Sequence, residues 1–80
     1  MFSKADIKQI VEDSFIQNGI DMFDVQAIHE MDSLQYISVL IGIEDSIGRE
    51  LPDSLMVRNV FEDMDGFFEL LYFLIGDIIE

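Results

Sequence analysis

The chain contains no cysteine and no tryptophan, one proline and four basic residues among its 80 positions. Without cysteine there is neither a disulfide framework nor a thiolate metal site, a usage compatible with a reducing compartment. With Pro52 as the only proline, no other position suffers the missing N–H and ring clash that break helices. Four Lys and Arg against 17 Asp and Glu leave a formal charge of -13. That charge repels nucleic acid and anionic membrane surfaces and favours partners with basic docking patches, so no nucleic-acid partner is expected. Long apolar runs are missing too. Residues 1–13 mix Lys4, Asp6, Lys8 and Glu12 with single apolar positions and form no apolar stretch of signal-peptide type. The apolar stretch from Phe67 to Ile79 is interrupted by Glu69 and Asp77 and falls short of the roughly 20 residues a spanning helix needs. The expectation is a cytoplasmic protein with no membrane span. Clean alternation of apolar and polar residues is absent as well, which leaves an all-α class.

What remains is enough to collapse. Half the residues are hydrophobic and 11% are aromatic, and a chain of this length makes a single domain over residues 1–80 with a core that must use most of its apolar side chains. Ser3 followed by Asp6 marks a helix start, Ile7, Ile10, Val11 and Phe15 recur at helical spacing, and Asn18-Gly19 stops the helix, predicting residues 4–18. Residues 19–32 read as a long connection pinned by Ile20, Phe23, Val25 and Ile28. Asp32 caps a second helix from Ser33 to Ile47 that Gly48 ends. Pro52 ends the preceding structure, Asp53 caps a short helix over about 54–59, and Asp63 or Asp65 caps a last helix presenting Phe67, Phe68, Leu71, Leu74, Ile75, Ile78 and Ile79. Three main helices and one short one are expected.

The second helix has two apolar faces. At about 100 degrees per residue, Tyr36, Val39, Leu40, Ile43 and Ile47 fall on one arc of the width of a core-facing stripe, while Leu34, Ile37 and Ile41 fall nearly opposite. One core cannot take both. Either the helix is sandwiched between two neighbours, or the second strip, beside Glu44 and Asp45, is a docking surface for a partner with a shallow apolar groove rimmed by Arg and Lys.

That strip begins beside Ser33. If the Asp32 carboxylate satisfies the amides of the first turn, the Ser33 hydroxyl is free for modification, and a phosphate joined to it would sit at the positive end of the helix dipole. Asp-Ser serving solely as a capping pair is the plainer alternative.

Asp32-Ser33-Leu34 resembles the Asp-Ser-Leu signature of acyl carrier proteins and of the related peptidyl and aryl carrier domains. Residues 36–47, from Tyr36 to Ile47, are similar to that family's second helix, and Glu50-Leu51-Pro52-Asp53 resembles its Glu-Ile-Pro-Asp turn at the matching spacing. The likeness extends over nearly the whole chain and is specific over residues 32–53. It implies a small four-helix bundle of acyl-carrier type, not an enzyme itself, in which Ser33 receives 4'-phosphopantetheine from coenzyme A and the terminal thiol holds an acyl, aminoacyl or aryl group as a thioester. The implied partners are a phosphopantetheinyl transferase and the loading, condensing or tailoring enzymes of a lipid, polyketide or nonribosomal peptide pathway. Leu34, Ile37 and Ile41 correspond to positions where carriers meet those enzymes, and the carrier is expected to be free-standing and monomeric. The chain departs from the family at Glu30, where a glycine is common, and at Ser38, where an acid is common.

Other motifs carry less. Asp63-Met64-Asp65-Gly66 has part of a calcium-loop spacing, but aligning Gly66 with the loop glycine puts Phe61 and Tyr72 at ligand positions, so no metal site is expected. His29 lies four residues before Ser33 without the acid partner or oxyanion donor that hydrolase chemistry requires. Phe73 falls opposite the apolar face of the last helix, to cover the long connection or to contact a partner. Met22, Met31, Met56 and Met64 read as gap-filling packing residues. An acidic helical adaptor with Ser33 unmodified is the alternative to the carrier.

Overall fold

Ser3, Asp24, Asp32 and Asp63 each stand one residue ahead of a helix, and each turns a side-chain oxygen onto N–H groups that the first helical turn leaves without a partner. The computed structural model describes residues 1–56 and 61–79. Among these residues there are four α-helices: α1 (Lys4–Gln17), α2 (Val25–Glu30), α3 (Ser33–Ile47) and α4 (Met64–Leu74). Short 3-10 helices follow at Asp53–Met56 and Gly76–Ile78. Ser3 and Asp6 cap α1 reciprocally, each side chain accepting from the other's backbone N–H at 3.0 Å. Gly48 ends α3 with φ 70, a left-handed conformation that costs a glycine little.

The core is built from three faces. Ile7, Val11 and Phe15 of α1 meet Tyr36, Val39, Leu40, Ile43 and Ile47 of α3, and Phe67 and Leu71 of α4 close the layer. Ile28 of α2 fills it together with Ile20, Met31, Leu51, Leu55, Phe61 and Ile75, which lie outside the α-helices. Ile10 and the methionines Met22, Met56 and Met64 are half-buried against this cluster. Where α1 crosses α3 the backbones approach closely. The Ser14 hydroxyl donates to the Val39 carbonyl at 2.7 Å, and a β carbon at Gly42 would overlap Ser14 Oγ. The Tyr36 hydroxyl donates to the Leu55 carbonyl at 2.6 Å, tying α3 to the first 3-10 turn.

Five expectations are corrected. The connection 19–32 contains a helix, α2, because Asp24 Oδ1 accepts from Gln26 N at 3.0 Å and from Ala27 N at 3.4 Å. Six residues leave too few apolar positions for a periodicity to show. Of its proposed anchors, Ile20 and Ile28 are buried, whereas Phe23 is 72% and Val25 71% exposed. The short helix expected over 54–59 is a 3-10 turn at Asp53–Met56 that includes Asp53 instead of being capped by it; residues 57–60 lie outside the described residues. Finally, α4 stops at Leu74. Ile78 and Ile79 leave its axis so that Phe2 can bridge to Ile79, with Phe2 N donating to Ile78 O at 2.9 Å, a closure that a straight helix would prevent. Phe73 is 83% exposed, so it does not serve as a cover for the connection 19–32.

Candidate functional site

The start of α3 is organised by a reciprocal cap. Asp32 Oδ1 accepts from Gln35 N at 2.8 Å, and Gln35 Oε1 accepts from Asp32 N at 3.1 Å. The role of Asp32 follows the sequence reading. Its partner Gln35 was legible in the spacing Asp-x-x-Gln, the carboxylate version of a capping box. With Asp32 occupying the cap, Ser33 is the first helical residue, and its side chain is exposed and takes no part in the cap.

The first intrahelical hydrogen bond runs from Tyr36 N to Asp32 O at 3.0 Å. The N–H groups of Ser33 and Leu34 therefore precede the helical ladder and point out of its positive end. An exposed primary hydroxyl there has room for esterification, and an anionic ester on it would lie next to these donors. These features fit a phosphodiester-linked arm on Ser33.

The two faces of α3 separate as their spacing demands. Tyr36, Val39, Leu40, Ile43 and Ile47 are buried, whereas Leu34 is 76% exposed, Ile41 48% exposed and Ile37 half-buried. Leu34 and Ile41 open to solvent, so among the described residues no neighbour sandwiches α3 along that face. The acidic rim is thinner than the sequence suggests. Asp45 is exposed, but Glu44 is half-buried and its Oε2 accepts from Leu51 N at 2.7 Å, fastening the Glu50-Leu51-Pro52-Asp53 turn to the end of α3. Beside it, Arg49 pairs with Asp77, an interaction between residues too distant in sequence to be anticipated. Hydrogen bonding from the Arg49 guanidinium holds the Asp77 carboxyl below its ordinary range, and Asp77 in turn raises Arg49.

His29 is exposed in the last turn of α2. Asp63 is the N-cap of α4, its Oδ1 accepting from Gly66 N at 2.7 Å, so the Asp-x-Asp-Gly run has a structural use. Among the described residues no group of three or more acids or histidines is placed to hold a metal ion, and no helix is long and apolar enough to cross a membrane. No family model, no curated protein and no solved structure matches the chain, so the functional reading rests on the residues and geometry of α3.

Proposed function

We propose that this chain is a carrier protein: Ser33 holds a 4'-phosphopantetheine arm, the thiol of that arm carries a biosynthetic intermediate as a thioester, and the exposed strip of α3 presents it to partner enzymes. The observation that carries the reading is the Ser33 hydroxyl, exposed at the first position of α3 while Asp32 attends to the cap. The apolar side chains of Leu34 and Ile41 lie open on the same helix, with Asp45 exposed further along. The residues have distinct tasks. Asp32 keeps the first turn ordered without using Ser33, so the hydroxyl stays available to a transferase. The N–H groups of Ser33 and Leu34 favour the negative charge of an attached phosphate. Leu34, Ile37 and Ile41 supply apolar contact, and Asp45, with Glu44 as far as its bond to Leu51 leaves it free, meets basic residues of a phosphopantetheinyl transferase or of loading, condensing and tailoring enzymes. When bound, the arm supplies the reactive thiol; the protein contributes delivery at high effective concentration.

Intact-mass measurement after incubation with coenzyme A and a broad-range phosphopantetheinyl transferase tests this. The expected result is a gain of one phosphopantetheine unit that Ser33→Ala abolishes. An unchanged mass, under conditions that load a control carrier, would support instead an acidic adaptor that uses the α3 strip with Ser33 unmodified.

A further inference from the structure

An open groove lies away from the exposed strip of α3, between α1, the connection before α2, and α4, with a volume of about 680 Å³. Its apolar wall is formed by Met22, Phe23, Met64 and Phe68. Charge on its lining is uneven: Glu12, Asp65 and Glu69 face it, against Lys8. Adjoining hollows share Met22 and extend the surface in two directions, past Ile16 and Asp21 on one side and past Val25, Glu62 and Asp63 on the other. Phe23, Val25 and Ile16 are large apolar side chains left exposed along it. The aromatic wall already attracts cations. Lys8 Nζ stands 6.0 Å from the Phe68 ring centre and Lys4 Nζ 5.2 Å from that of Tyr72, and the two rings stack at 5.9 Å.

We infer that this groove is a second docking site, and that its occupant is a cationic amphipathic helix of a partner protein. Charge selects that occupant. A second copy of the chain would bring its own excess of acids against Glu12, Asp65 and Glu69, and a fatty acid or phospholipid headgroup would meet the same repulsion. The apolar side chains that stand outside the groove need a partner longer than a small ligand. Methionine and phenylalanine lining an elongated apolar surface suit the apolar stripe of a helix, since Met22 and Met64 repack at low cost. Arg or Lys on the flanks of that helix would meet the acidic rim and compete with Lys4 and Lys8 for the ring faces. The inference stands independently of any modification at Ser33.

Titrating the isotope-labelled full chain with a synthetic amphipathic peptide, leucines on one face and arginines on the other, tests it by amide chemical shifts. Saturable shifts centred on Met22, Phe23, Met64 and Phe68 are expected, unchanged in Ser33→Ala. Phe23→Ser, at an exposed position, should weaken binding about tenfold or more, as loss of an aromatic anchor does. Lys8→Glu should strengthen it, and a peptide with glutamates in place of arginines should produce no saturable shift. Should Phe23→Ser disturb the core spectrum, Glu69→Lys interrogates the same surface through charge and should likewise weaken binding. Shifts confined to Leu34, Ile37 and Ile41, absence of saturation, or an affinity indifferent to both substitutions would overturn the inference.

Discussion

Gly42 shows how one missing methyl group sets the approach of two helices. It sits in the middle of α3, where alanine would ordinarily be favoured by about 1 kcal/mol, yet its added β carbon would overlap Ser14 Oγ. That hydroxyl is buried and bonded to the Val39 carbonyl. Gly42→Ala must therefore push the hydroxyl off its acceptor, which costs about 1–3 kcal/mol for a buried polar group left unpaired. The expected net effect is a loss of about 1 kcal/mol in denaturant unfolding. In a Ser14→Ala background the same substitution should turn stabilising, since the obstructing oxygen is gone and the helix propensity remains. A double-mutant cycle measures that change of sign; additive effects would show that α1 and α3 shift apart instead.

Within α3, two faces of one element serve different ends, and a substitution on the outer face should separate them. Ile37→Glu places a charge on the strip between Leu34 and Ile41, where side chains are exposed or half-exposed. Far-ultraviolet circular dichroism is expected to stay nearly native, while kcat/KM for loading by the phosphopantetheinyl transferase falls about tenfold, equivalent to about 1.4 kcal/mol. A large loss of helicity would assign Ile37 to the core. The reciprocal cap between Asp32 and Gln35 orders the first turn of this helix, and the Glu44 carboxylate bond to Leu51 N ties its last turn to the segment that follows. The strip is thereby presented on an element whose ends are both fixed.

Charge acts on the molecule as a whole. With a formal charge of -13, the folded state concentrates repulsion that the unfolded chain spreads out. Added sodium chloride screens it over a Debye length of about 10 Å at 0.1 M, so the midpoint of thermal unfolding should rise with salt. A fall would mean that attractive pairs dominate. The Arg49–Asp77 pair works in the opposite sense but weakly, because both groups are partly open to water. Asp77 has a folded pKa below its unfolded one, so its contribution is present above the unfolded value and disappears as pH falls through the folded value. Mild acidification above the ordinary carboxylate range therefore leaves this contact in place.

Much of this architecture is written locally. The Ser3, Asp32 and Asp63 caps, the Gly48 stop and the buried stripe from Tyr36 to Ile47 depend on residues within a few positions of one another, and spacing along the chain encodes them directly. The position of Ser33 one residue after a capping aspartate is equally local, which is why the candidate site could be located from the order of residues alone. Other features join parts of the chain that spacing does not relate. Ser14 and Val39 are 25 residues apart, and Arg49 and Asp77 are 28 apart. Whether Phe23 and Val25 pin the connection or face water depended on which surfaces α1 and α4 had already claimed. That competition for a finite interior is settled by packing in three dimensions, and it left the groove beside Phe23 open.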